Sequence, residues 1–194
     1  MTQSSKKQFQ RLFIISSILI FSTVINISCQ NRQRRNLVPK NENYITGKII
    51  HIIDGDTYDI LIEGNKTVRV RMNGIDAPEK GMPFYQVSKK YLKDLCIQKT
   101  VKFKQTDTDH HGRIIGFTYL DDGRELSHEM IKAGFAWHYK EHNSDKDLAD
   151  LEIKAQNEKK GLWKDNNPLP PWEVRKLHRQ GISTKDQFKD NPNK

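Results

Sequence analysis

The sequence of 194 residues predicts an α+β fold that is mainly β. Five short segments either alternate between apolar and polar residues or form short apolar runs, and turn-forming residues separate them. A further observation places the helices: segments with helical spacing of apolar residues follow the third and the fifth of these strands. This order of elements predicts a five-stranded barrel of the OB type with three helices.

The predicted elements lie between Tyr44 and Lys160. The strands are predicted at residues 45–53, 58–63, 67–75, 101–105 and 114–120, with a turn at Gly64-Asn65 between the second and the third. The helices are predicted at about 84–97, 125–134 and 145–160, the last with Ser144 as N-cap. Residues after Trp172 are polar and charged, and we expect them to fray as a tail over 173–194.

The first 29 residues have the composition of an export signal. Three basic residues precede an apolar run from Leu12 to Ile27, and no acidic residue is present. The run ends in VINISC, which resembles a bacterial lipobox with Cys29 as the lipidated residue, although Asn26 stands where that pattern prefers an aliphatic residue. Three outcomes stay open: a lipoprotein at the cell envelope, a cleaved secreted protein, and an uncleaved anchor in the membrane.

Residues 30–43 are polar and basic, and they predict a flexible tether. The net charge of the chain is +9, but residues 45–172 hold 20 basic and 20 acidic groups and are therefore neutral. A basic surface that binds nucleic acid or membrane is thus predicted for the flanks alone. The second cysteine, Cys96, follows the apolar side of the first predicted helix and is interpreted as a buried core thiol.

Two acidic residues are predicted to meet at one edge of the barrel. In IIDGDT, Asp54 and Gly55 form a hairpin turn, and Asp56 begins the second strand. Asp76 follows the third strand, whose end lies beside the start of the second in a meander. Two carboxylates and a backbone carbonyl are hard oxygen ligands that suit Ca²⁺ or Mg²⁺.

Further charged residues belong to the same predicted edge. Arg71 lies on the strand face opposite Val70 and Met72, and a guanidinium beside a metal is a natural bidentate ligand for phosphate. Glu79 follows Pro78 and could act as a base or orient water, and Arg113 begins the fifth strand. Each residue alone also fits an ordinary exposed charge, so their joint occurrence carries the interpretation.

Six stretches together resemble the staphylococcal nuclease family. They keep the order of that family and run from Ile52 to Glu173, which covers nearly the whole predicted core. The stretches are IIDGDT, VRMNGIDAPE, KGMPFYQVSKKYLKDL, TDTDHHGR, IKAGFAWHY and KKGLWKDNNPLPPWE. One such stretch would be weak evidence, whereas six in order are highly specific.

The resemblance implies a role for each residue of the predicted edge. Asp56 and Asp76 would bind Ca²⁺ through their carboxylates and Ala77 through its carbonyl, with Asp54 behind them. Arg71 and Arg113 would bind the scissile phosphate. Glu79 would position or deprotonate the attacking water.

The resemblance is weaker where bases would stack. His111 stands at a position that is usually aromatic in the family, and His110 replaces a basic residue beside it. Histidine can stack and can carry charge below neutral pH, so base preference is the property affected. Trp137 and Tyr139 could supply further stacking faces, and core packing is an equal alternative for both.

The implied activity is endonucleolytic hydrolysis of DNA and RNA at the 5′ P–O bond, which leaves 3′-phosphate ends, and we expect the enzyme to be a monomer. One alternative is a nuclease-like module at the cell envelope that binds nucleic acid without cleaving it. Another is a lipid-anchored surface protein whose basic flanks bind polyanions. All five charged side chains of the implied site are retained, which argues against the first alternative. Because the core is neutral, binding of polyanions would be a secondary role at most.

Lipidation of Cys29 is tested by fractionation of the wild type and Cys29→Ser in a bacterial host. We expect the wild type to sediment with membranes and to carry a labelled fatty acid, because a bacterial lipoprotein holds more than one acyl chain and stable anchoring requires that. The variant should lose the label. If the wild type and the variant partition alike and neither carries the label, lipidation is contradicted and only the prediction of export remains.

Overall fold

The structure is a computed structural model that describes residues 43–189. The predicted signal, Cys29, residues 30–42 of the predicted tether and residues 190–194 lie outside the described part. Within residues 43–189, no helix is long and apolar enough to cross a membrane.

The barrel strands are β1 (Ile45–Ile52), β2 (Thr57–Ile62), β3 (Lys66–Met72), β5 (Thr100–Thr108) and β6 (Ile114–Leu120). These five strands form a closed barrel in the order β1–β2–β3–β6–β5, with β1 also paired to β5. All neighbours are antiparallel except β3 and β6, which run parallel. The predicted five-stranded OB-type barrel is therefore confirmed.

The predicted third strand is two strands. It breaks after Met72 because Gly74 has a φ of +77°, a left-handed conformation that favours glycine. The chain then enters β4 (Ile75–Asp76), which pairs with β7 (Trp137–His138) outside the barrel. This break turns Asp76 away from the β3 ladder and toward the end of the barrel where β2 begins.

The three predicted helices are present. They are α1 (Tyr85–Cys96), α2 (Leu126–Lys132) and α3 (Lys146–Asn157). The predicted N-cap of α3, Ser144, is wrong: Asp145 caps the helix, and its side chain accepts from the backbone N–H groups of Asp147 and Leu148. Cys96 is fully buried as predicted, and burial raises the pKa of its thiol to about 12, so it is an inert core residue.

A fourth helix, α4 (Pro171–Arg179), was not predicted. We expected residues after Trp172 to fray, and this expectation is wrong for the segment up to Phe188. Val174 and Phe188 are both buried, in a second apolar cluster that also contains Trp137. Pro171 at the first turn fixes a helical φ, which explains why the helix begins there.

Residues 43–189 thus contain two apolar clusters. The larger fills the barrel and the space under α1 and α2, with Tyr58, Ile60 and Phe103 at its centre. The smaller lies beneath the segment around α4. The C-terminal segment therefore packs as part of the domain.

We expect Phe188→Ala to lower the free energy of unfolding by about 3 kcal/mol, because it removes a buried aromatic ring. Chemical denaturation of the full chain measures this change. Ile182→Ala is the matched control, since Ile182 lies in the same segment and is 46% exposed, and should cost less than about 0.5 kcal/mol. Equal and small losses in both variants would contradict packing of this segment.

Candidate active site

The turn between β1 and β2 presents two acidic residues to one end of the barrel. The backbone N–H groups of Ile53 and Asp54 donate to the carbonyl of Thr57, and Oδ1 of Asp54 accepts from the backbone N–H of Asp56 at 3.0 Å. Gly55 lies close beneath α1, because a Cβ added there would be 1.9 Å from Oγ of Ser88. The Asp-Gly-Asp sequence is therefore a tight turn that also fixes Asp56.

Asp56 and Asp76 converge on one guanidinium, that of Arg71. Arg71 lies opposite Thr57 in the β2–β3 register, which places it beside the start of β2. Its Nη1 donates to Oδ1 of Asp56, and its Nη2 donates to Oδ1 of Asp76 at 2.8 Å. Oδ2 of Asp56 accepts from the backbone N–H of Ala77 at 2.7 Å. The predicted metal-binding residues therefore lie together, although their assigned role stays a prediction.

The three aspartates concentrate negative charge in a nearly dry site. Asp56 and Asp76 are 2% and 1% exposed. Burial, and then the charge of Asp56, raise the pKa of Asp54 to about 7. Burial also raises the pKa of Asp76, against the effect of its hydrogen bond from Arg175. Buried carboxylates that lie this close together offer oxygen ligands that suit a hard divalent cation.

The carboxylates would have to share such a cation with other oxygen ligands. Among residues 43–189, no group of three or more His, Cys, Asp or Glu side chains is arranged to hold a metal ion. The backbone oxygen predicted at Ala77, water and a substrate phosphate would supply the remaining ligands. Ca²⁺ accepts such a mixed and irregular set more readily than Mg²⁺, which demands a near-ideal octahedron.

Glu79 and Arg113 line the same cleft as Arg71, and the volume of this cleft is about 950 Å³. Arg113 is held by Asp109, whose Oδ2 accepts from Nε of Arg113 at 2.6 Å. Oδ1 of Asp109 accepts from the backbone N–H groups of His111 and Arg113. Sequence reasoning missed Asp109. A signal was available, because Asp109 lies four residues before Arg113 in TDTDHHGR, and one carboxylate can close a loop of this length.

The most consequential residue that sequence reasoning missed is Arg175, on α4. Its Nη2 donates to Oδ2 of Asp76 at 2.7 Å, and its Nη1 donates to Oε1 of Glu79 at 2.5 Å. A signal was available: in PPWEVRK, Pro171 at a first helical turn and basic residues at the end favour a helix. Arg175 could still not be assigned to the site, because the sequence pattern does not predict where that helix packs.

Comparisons with known proteins identify the family of the chain. Residues 69–165 match the family model described as staphylococcal nuclease homologue. The chain belongs to the staphylococcal nuclease homologue family. An uncharacterized endonuclease of Haemophilus influenzae is 35% identical over 166 residues, which is 86% of each chain.

Two further relatives have similar coverage. An uncharacterized endonuclease of Escherichia coli is 39% identical over 128 residues, which is 66% of this chain and 83% of the relative. A micrococcal nuclease of Shigella flexneri is 32% identical over 147 residues, which is 71% of this chain and 84% of the relative. The similarity to members of the nuclease family thus spans most of their length.

Of the residues that family resemblance suggested for base stacking, two line the cleft and one does not. His111 lines it beside His110, with ring centroids 3.8 Å apart. Tyr139 lines it with one face stacked on Trp172, at 5.3 Å between centroids and 9° between planes. For Trp137 the structure favours the alternative of core packing, because Trp137 is only 5% exposed and packs in the second apolar cluster.

Proposed function

We propose that this protein is a calcium-dependent endonuclease that hydrolyses phosphodiester bonds of DNA and RNA as a monomer. One observation carries the proposal: Asp56 and Asp76 converge on Arg71, which lines a cleft together with Glu79 and Arg113. Carboxylates for a cation, guanidiniums for a phosphate and a carboxylate for water are the groups that hydrolysis of a phosphodiester requires. Membership of the nuclease family and the similarity to proteins described as endonucleases and as a micrococcal nuclease support the same activity.

The proposed metal-binding residues are Asp56 and Asp76 through their carboxylates and Ala77 through its carbonyl. When bound there, Ca²⁺ would supply Lewis-acid polarisation of the phosphate and neutralise the charge that develops on it. Asp54 would remain behind the ligands, where its contact to the backbone of Asp56 fixes the turn.

Arg71 and Arg113 would bind the scissile phosphate by donating hydrogen bonds to its non-bridging oxygens. Negative charge accumulates on those oxygens during in-line attack, so donors that are already in place stabilise the transition state more than the ground state. Asp109 keeps Arg113 at the edge of the cleft. Arg71 is 17% exposed as a side chain, and this limited contact with water strengthens its attraction to phosphate.

Glu79 would accept the proton of the attacking water. Its side chain is 45% exposed, in contrast to the buried Asp76, so water reaches it. A general base must lie within hydrogen-bond reach of the proton that it takes. Pro78 and the hydrogen bond from the backbone N–H of Met82 to the Glu79 carbonyl fix the chain around it.

We further propose cleavage at the 5′ P–O bond with 3′-phosphate products, for which the support is family resemblance. His111 and the exposed part of Tyr139 would contact bases beside the scissile phosphate. Export by residues 1–29, with anchoring at the cell envelope through Cys29 or release by secretion, would bring the enzyme to nucleic acid outside the cell.

Removal of calcium is expected to abolish cleavage of plasmid DNA, because Asp56 and Asp76 hold no phosphate without a cation between them. The measurement compares nicking in Ca²⁺, in EDTA, and after calcium is restored, with Mg²⁺ as the control cation. Undiminished cleavage in EDTA would contradict the roles of Asp56 and Asp76. Binding of DNA without cleavage in any of these conditions would favour the alternative of a non-catalytic module.

We expect Glu79→Gln to lower the turnover rate by about 10²–10⁴-fold, because the amide keeps the shape of the side chain and cannot accept the proton. The KM for DNA should change little. Kinetics with a fluorescent oligonucleotide measure both values.

The matched control for this variant is Glu63→Gln, an identical chemical change in the exposed turn between β2 and β3. It should leave both values unchanged. A decrease below about tenfold in Glu79→Gln is too small for a positioned general base, and would assign proton transfer to another group.

A further inference from the structure

Five charged side chains form a row of contacts that alternates in sign, and three of them, Arg71, Arg175 and Glu79, line the cleft. Arg71 contacts Asp56 and Asp76, and Arg175 contacts Asp76 and Glu79. The order is therefore Asp56, Arg71, Asp76, Arg175, Glu79. The first three belong to the metal and phosphate site described above, whereas the last contact joins the proposed base to a helix that has no assigned role.

Packing of α4 fixes the position of Arg175. The residue before it, Val174, is 3% exposed and lies in the second apolar cluster. Near the start of the helix, Trp172 packs against the same cluster and stacks on Tyr139 at the cleft. These two contacts hold the helix that carries Arg175, so the fold brings its guanidinium to Asp76 and Glu79.

Glu79 depends on this guanidinium for its orientation. Within residues 43–189, Arg175 is the one side chain that forms an ion pair or hydrogen bond with the Glu79 carboxylate. It uses Oε1 alone, so Oε2 stays available to a water molecule. A carboxylate that is 45% exposed and had no such partner would occupy several rotamers.

Arg175 also counters a repulsion. Glu79 and Asp76 are both contacted by one guanidinium and are therefore close enough for their negative charges to repel. A planar fork with separate N–H groups can hold both carboxylates at once, which a single ammonium cannot do with the same geometry.

We propose that Arg175 is a positioning residue that holds the Glu79 carboxylate toward the attacking water, so that α4 forms part of the active site. The proposal rests on the proposed function, because it assigns to Glu79 the role of the base. Arg175 acts through Glu79 and takes no proton itself.

The test is a double-mutant cycle in the full chain, with DNA cleavage measured for Arg175→Gln, Glu79→Gln and the double variant. Loss of a partner that orients a catalytic group typically costs about 10–100-fold in activity, and we expect Arg175→Gln to lower kcat by such a factor with KM nearly unchanged. The double variant should be no slower than Glu79→Gln alone, because residues that act as a unit are not additive.

Two single substitutions complete the comparison. Arg175→Lys keeps the charge and the packing of the stem, and it should restore part of the lost rate. Lys176→Gln removes the same charge one position along α4, where the ammonium pairs only with Glu173 among the described side chains, and it should leave kcat unchanged. Thermal unfolding of each variant identifies any loss of fold.

Two results would overturn the proposal. If the losses from Arg175→Gln and Glu79→Gln multiply in the double variant, Arg175 acts on the substrate independently of Glu79. If Arg175→Gln binds calcium more tightly by titration calorimetry and cleaves at least as fast as the wild type, Arg175 competes with the cation for Asp76.

Failure of the proposed function is distinguishable from failure of this inference. A wild-type chain that cleaves no nucleic acid contradicts the proposed function. The same variants then still report on the contact through their free energies of unfolding. A non-additive cycle would support the positioning of Glu79 by Arg175, and an additive one would overturn it.

Discussion

The ion pairs between Arg71 and two buried aspartates are the interaction on which the rest of the site depends. Two carboxylates with almost no exposure cannot stay ionised without a partner, because removing a charge from water costs several kcal/mol. The β2–β3 register sets Arg71 opposite Thr57, which directly follows Asp56. The guanidinium therefore reaches both aspartates. The barrel therefore supplies the partner that lets the acidic residues persist in its wall.

This requirement constrains the backbone around it. The carbonyl of Asp56 accepts from the backbone N–H of Met72 at 2.9 Å, and the carboxylate of Asp56 accepts from the backbone N–H of Ala77. The last residue of β3 and the residue after β4 are therefore both bonded to Asp56. Gly74 lets the chain turn between them. The break in the predicted third strand is thus the feature that brings Asp76 back toward Asp56.

The sequence predicted those features that depend on local pattern or on neighbouring strands. Strand β3 was recognisable because its apolar residues alternate, and Asp56 could be placed beside Asp76 because a short hairpin makes the start of one strand adjacent to the end of the next. The N-cap of α3 was missed by one residue, since Ser144 and Asp145 are both good caps and their order in the chain does not decide between them.

Features that depend on long-range docking could not be predicted in this way. Trp137 and Tyr139 are two residues apart and equally aromatic, and only the packing of the C-terminal segment buries one and leaves the other at the cleft. Arg175 likewise appeared to be one more charge in a basic tail, because its partners Asp76 and Glu79 precede it by 99 and 96 residues.

The same separation links the site to the folding of the whole domain. Asp56, Arg71 and Asp76 lie within 20 positions of one another in the chain, so their contacts close short loops. The contact of Arg175 with Glu79 closes a loop of 96 residues and requires that α4 has already packed. A chain whose barrel is formed and whose C-terminal segment is not would therefore hold both aspartates and Arg71 in place while leaving Glu79 without its partner. In such a chain the proposed groups for the cation and the phosphate would be in place, and the proposed base would lack the contact that orients it.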